Sequence, residues 1–243
     1  MERSIRTVTR QTLIWTLSLT VAGCGASVAP GSVDQSTPPT ADASSDPTAR
    51  TTPSTAPGWV ASGPLSAGLY YVDVAGVRFT FTIPDGWAGP DVPGFAVLKA
   101  GPTELAAMIL SFWWPANIYA DPCDATSLLD PPVGPTVGDL ASAFARQSGT
   151  LATDPTPITV DGFDGQRLDI GVRTDVLACR DSIWLWLDED GGRRSTDSDE
   201  DYELSILDVD GERVMIAVVY RPGTSAEERA ELRTIFDSIK IDP

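Results

Sequence analysis

The chain has 243 residues, with 34 acidic against 17 basic, no His and three Cys, and a net charge of −17 at pH 7. So acidic a polymer is repelled by nucleic acid and by anionic lipid headgroups, which argues against both as partners. Without His there is no Ser-His-Asp or Cys-His catalysis and no His-ligated zinc, and any chemistry would fall to carboxylates, Lys, Tyr or Ser.

The N-terminus carries Arg3, Arg6 and Arg10, then an apolar run from Thr12 to Ala22. That run is shorter than the roughly 20 residues a spanning helix needs, and has the flanks of a cleavable export signal. It ends in Val21-Ala22-Gly23-Cys24, which resembles the lipobox of bacterial lipoproteins. The resemblance implies cleavage before Cys24 and a diacylglyceryl group on its thiol. Further acyl chains, palmitate among them, would hold the protein stably on the extracytoplasmic side of the cell membrane. The competing reading is an ordinary signal peptide with a chance Cys; small residues followed by Cys in this order favour the lipobox. Residues 1–23 are then a signal peptide. Residues 24–57 are the lipidated Cys and a disordered tether rich in Ala, Ser, Thr and Pro, and residues 58–243 are the globular domain. Removing residues 1–23 leaves 14 basic against 33 acidic residues.

Within the domain, Tyr70–Val74 and Val77–Ile83 read as strands, the second with Val77, Phe79, Phe81 and Ile83 on one face. Pro84-Asp85-Gly86 is a turn, Phe95–Lys99 a short strand, and Ala106–Trp114 an apolar run that fits a central buried strand, with a helix the alternative that period alone leaves open. Thr136–Gln147 reads as a helix with an apolar stripe at Val137, Leu140, Ala141, Phe144 and Ala145 and a Thr136–Asp139 pair resembling a capping box. Ile158–Val160 and Gln166–Val172 flank a Gly-rich turn, and Ser182–Leu187 is another strand. Tyr202–Val209 and Glu212–Tyr220 flank Asp210-Gly211, a hairpin signal. Ser225, with Glu228 three residues on, opens a last helix that buries Leu232, Ile235, Phe236 and Ile239. The pattern predicts an α+β fold, a largely antiparallel sheet packed by helices.

Phe79-Thr80-Phe81-Thr82-Ile83-Pro84-Asp85-Gly86-Trp87, Leu207-Asp208-Val209-Asp210-Gly211 and Phe236-Asp237-Ser238-Ile239 resemble segments of small lipoproteins of high-GC Gram-positive bacteria. Their layout is similar to the Mog1/PsbP-like α/β/α sandwich. The resemblance covers residues 68–241, and its motifs are structural devices that transfer no catalytic residue.

Cys123 and Cys179 are the Cys left after lipidation. In an oxidising compartment they are expected to pair, enclosing 55 residues. Trp113, Trp114, Tyr119, Trp184 and Trp186 cluster in two strands, with Trp184 and Trp186 expected on one face. Beside carboxylates they can make a platform for a glycan or small apolar ligand, or they fill a core. The acidic run from Asp188 to Asp201 reads as a solvated, flexible hairpin loop; Asp197, Asp199 and Asp201 alternate as calcium ligands do, but Tyr202 stands where an EF-hand needs Gly. No metal and no cofactor is expected, and no catalytic residue stands out. The expectation is a membrane-anchored, non-catalytic module binding an envelope protein or a small ligand. The alternatives are a carboxylate-based envelope hydrolase and a structural accessory subunit.

Overall fold

A computed structural model describes residues 56–100, 106–173, 179, 182–196 and 199–243. The lipobox and most of the tether lie outside these residues, as do Asp197 and Ser198 of the acidic run.

The elements in chain order begin with β1 (Gly58–Trp59), β2 (Gly63–Leu65), β3 (Gly68–Val74) and β4 (Val77–Ile83). Next come β5 (Trp87–Gly89), β6 (Ala96–Ala100), β7 (Ala106–Trp113), β8 (Pro115–Ile118) and α1 (Val137–Ala145). Then follow β9 (Thr150–Ala152), β10 (Thr156–Val160), β11 (Phe163–Val172), β12 (Ile183–Asp188) and β13 (Arg193–Thr196). The last are β14 (Glu200–Val209), β15 (Glu212–Tyr220), α2 (Ala226–Asp237) and β16 (Lys240–Asp242). A nine-stranded sheet has the order β10-β11-β14-β15-β7-β6-β5-β2, with β9 continuing the β10 edge of β11. A four-stranded sheet, β1-β3-β4-β16, and a three-stranded one, β13-β12-β8, complete the described strands. Pairing is antiparallel except between β1 and β3.

Local sequence accounts for most elements. Asp210-Gly211 takes positive φ at both positions (53° and 95°), the backbone that matches strand twist in a two-residue hairpin, and Ala75-Gly76 does the same between β3 and β4. Both helices open on capping boxes: Thr136 with Asp139, and Ser225 with Glu228.

The large sheet separates two cores because its strands alternate. Along β15, Val214, Ile216, Val218 and Tyr220 face one core, while Met215, Ala217 and Val219 face the other. The first core lies under the four-stranded sheet and α2, where Phe79 and Phe81 pack on Phe112 with ring centroids 4.8 and 5.4 Å apart. The second lies under α1 and the three-stranded sheet, where Trp186 meets Phe144 and Tyr202 edge-on. The expected antiparallel α+β fold is present, but the covers are not purely helical. Helices of nine and twelve residues reach only about 14 and 18 Å, too short for a sheet about 34 Å wide along its eight-strand path. Small sheets supply the rest.

Candidate functional site

The five aromatic residues singled out from the sequence do not form one surface. Trp186 is fully buried, edge-on to Trp113 at 5.3 Å, and the Trp113 indole N–H donates to Ser111 Oγ at 2.8 Å. Trp114 is half-buried against the other core. Tyr119 is fully buried with its ring 5.8 Å from that of the half-buried Trp184. The expectation that Trp184 and Trp186 share a face is corrected. Trp184 pairs with Ser195 and Trp186 with Arg194, so Leu185 is an extra residue in the ladder. Such a bulge shifts the phase of a strand by one and sends the two indoles opposite ways.

Cys123 and Cys179 form a disulfide with Cα atoms 4.9 Å apart. It fastens the segment after β8 to the start of β12, where Trp184 N–H donates to the Pro122 carbonyl at 2.8 Å and Tyr119 N–H to the Leu185 carbonyl at 3.3 Å.

The described parts of the acidic run are not a solvated loop. Asp188–Gly192 is a tight turn and Arg193–Thr196 is strand β13. Glu200 has no exposed surface. Its carboxylate accepts from Arg194 at 2.6 Å, from Arg221 at 3.0 Å and from the Tyr202 hydroxyl. The sequence held a signal for this: Glu200 has the same parity as Tyr202, Leu204 and Ile206, the inward face of β14. Asp188 is also buried, and one of its carboxylate oxygens has no hydrogen-bond partner. Burial, with Asp190 and then Glu189 adding repulsion, pushes its carboxyl up to about 7 against a hydrogen bond from the Trp114 backbone. Among the described residues no group of three or more Cys, Asp and Glu is arranged to hold a metal ion. No helix among them is long and apolar enough to cross a membrane.

A groove of about 320 Å³ lies on the α2 side of the large sheet. Its floor is a cross-strand row: Leu151 on β9 pairs with Gly171 on β11, Gly171 with Asp201 on β14, and Asp201 with Tyr220 on β15. Gly171 contributes no side chain, and the Arg173 guanidinium and Asp201 carboxylate cover its place in the row. The next row holds Asp169 opposite Glu203. Arg173 donates to Asp201 at 2.6 Å, and Glu203 accepts from Arg167 at 2.7 Å and from Arg233 of α2 at 2.8 Å. Asp169 lies 3.7 Å from Arg167. The Arg229 guanidinium stacks over the Tyr220 ring, 4.3 Å from its centroid. Burial and the charge of Glu203 push the Tyr220 hydroxyl up to about 12. The groove's own lining thus carries Arg173 and Arg229 against Asp169, Asp201 and Glu203. Sequence reading did not assemble this site. The signal available was the polar parity Arg167, Asp169, Gly171, Arg173 along β11, opposite the buried Leu168, Ile170 and Val172.

No protein-family model matches the chain, and no curated protein is significantly similar to it. Among solved structures it is similar to LpqN of Mycobacterium tuberculosis, described as involved in cell envelope biogenesis, at 13% identity over 72% of this chain and 91% of that one, with a TM-score of 0.38. It is similar to the cyanobacterial PsbP (CyanoP) of Synechocystis at 16% identity over 75% of this chain and 97% of that one, with a TM-score of 0.36.

Proposed function

We propose that the chain is a lipoprotein held to the extracytoplasmic face of the cell membrane through Cys24, and that its domain is a non-catalytic binding module. The observation that carries the binding half is the groove between β9 and α2, where Asp201 and Glu203 are each held by arginines. Charges fixed in pairs define a shape for recognition. A carboxylate hydrolase needs instead two facing carboxyl groups, one free to give up a proton and one free to attack or activate water. The division of the aromatics lends less support to a glycan platform, because Trp186 and Tyr119 are enclosed. The anchoring half rests on Val21-Ala22-Gly23-Cys24 and the Pro-rich tether behind it. We read the layering as a Mog1/PsbP-like sandwich whose covers are completed by small sheets.

The test is metabolic labelling with a palmitate analogue in a bacterial host, followed by membrane fractionation. The wild-type chain is expected to carry label and sediment with membranes. Cys24→Ser is expected to lose both. Unlabelled wild-type protein recovered in the soluble fraction overturns the anchor.

A further inference from the structure

Trp87 and Trp186 are fully enclosed, whereas Trp59 on β1 is 47% exposed. It is firmly placed. The next residue, Val60, has no exposed surface, and its N–H donates to the Tyr71 carbonyl at 3.2 Å. Ser62 Oγ donates to the Asp91 carbonyl at 3.1 Å, which ties this segment to the loop between β5 and β6. The indole lies against Gly94 of that loop, where an added Cβ would come within 2.9 Å of a ring carbon. Part of the ring is thus seated on backbone while the rest faces water. Val92, two residues before Gly94, is 69% exposed, and Ala61 and Pro93 are exposed as well. Charge is sparse here. Residues 56–65 carry none and residues 86–98 carry only Asp91, in a chain that is 21% charged.

We infer that Trp59 and Val92 make a second, reversible contact with the lipid surface to which Cys24 holds the chain. This rests on the anchoring half of the proposed function and deepens it. Position is the first argument for lipid. The tether expected over residues 24–57 runs directly into β1, so the anchor acts on this corner of the domain. A coil of that length reaches about 30 Å, and the surface is then present at a roughly millimolar effective concentration, so a weak contact is enough. Side-chain chemistry is the second. An indole joins an apolar body to one N–H, which suits the boundary between headgroups and acyl chains, and this one is already held in place. Charge is the third. At net −17 a broad electrostatic approach to anionic headgroups is closed. A corner nearly free of carboxylates is what can come within a Debye length, about 8–10 Å, at small cost.

The test is tryptophan fluorescence of the full chain, purified from a bacterial host and reconstituted into phosphatidylcholine vesicles whose acyl chains carry bromine near the headgroup. Flotation scores attachment first, and circular dichroism checks the fold of each variant. Trp59→Gln keeps every other tryptophan, so its difference from wild type is the signal of Trp59. That signal is expected to fall at least about twofold in brominated against plain vesicles. Val92→Asp, which puts a charge on the patch, is expected to remove at least about half of the quenching. Exchanging half of the lipid for phosphatidylglycerol is expected to weaken it too, because the chain is acidic. A chain that floats with a Trp59 signal indifferent to bromine overturns the inference and leaves the anchor standing. A chain that does not float overturns the anchor, and this contact with it. Quenching that grows with phosphatidylglycerol overturns the apolar contact in favour of a cationic one. A Trp59 signal shielded from aqueous acrylamide yet untouched by bromine gives the face to another protein copy and overturns the inference as well.

Discussion

Arg194 and Glu200 meet at 2.6 Å across the join between β13 and β14, and the carboxylate has no contact with solvent. Arg221, from just after β15, closes the other carboxylate oxygen at 3.0 Å. One buried anion therefore pins the edge of the small sheet to the large one. Removing it leaves two guanidiniums facing each other in a poorly hydrated site. Glu200→Ala is expected to destabilise the fold by about 3–5 kcal/mol, the usual cost of orphaning a buried charge. A urea unfolding curve reads this, and a loss below about 1 kcal/mol would show that the node is solvated or replaceable.

The Cys123–Cys179 bond spans 56 positions. On the chain-entropy model a loop of this size restrains the unfolded state by about 4 kcal/mol. Reduction, or the paired Cys123→Ala and Cys179→Ala replacement, is expected to lower the melting temperature by roughly ten degrees or more. Calorimetry with and without reductant checks it; an unchanged transition would mean that the segment after β8 is held by its backbone hydrogen bonds alone.

Asp188 makes stability fall as pH rises. Its carboxyl holds a proton up to about pH 7 in the folded protein, against 3.8 as the ordinary value. Between those values the native state binds a proton that the unfolded chain has lost, so unfolding becomes easier with each step up in pH. The loss across that window is on the order of 2–4 kcal/mol and is complete above about pH 7. Asp188→Asn should remove this slope and gain on the wild type at pH 8. Denaturant midpoints at pH 5 and pH 8 for both proteins decide the matter.

Glu231 has the opposite sign. It is drawn into partial burial on α2, which raises its carboxyl. The Lys99 ammonium at 2.8 Å and the Trp87 indole N–H at 2.7 Å outweigh that and hold it below the usual range. Its contribution is present above about pH 4.5 and is lost as pH falls through the folded-state value. Glu231→Gln is expected to cost about 1–2 kcal/mol at pH 7, with the difference from wild type shrinking in acid. A difference that grows in acid would contradict this account of the Lys99–Glu231–Trp87 contact.

The parts of the fold legible in the sequence are those decided by neighbours along the chain. Asp210-Gly211 has the residue types a two-residue turn demands, and Thr136–Asp139 and Ser225–Glu228 close their capping boxes within one turn. What escaped depends on partners far away. The bulge at Leu185 arises from how β12 meets β13, and no local preference marks it, so strict alternation misplaced Trp186 relative to Trp184. Glu200 looked solvated because it stands among other acids, but its partners Arg194 and Arg221 come from either end of the β14–β15 hairpin. The groove escaped for a related reason. Leu151, Gly171, Asp201 and Tyr220 lie on four strands, and only the sheet register places them in one row.

The large sheet divides the interior, and this sets how the chain can vary in length. Strands β14 and β15 face both interiors with alternate residues, Leu204 and Ile206 one way and Leu207 and Val209 the other. A single residue inserted within either strand would turn every later side chain over and exchange the contents of both compartments at once. The stretch between Ala120 and Pro135 is anchored at Cys123 and Asn117 but carries no such double duty. Insertions among relatives of this chain should accumulate there and avoid the ribbon, which makes the spacing from Glu200 to Tyr220 a ruler for recognising distant kin.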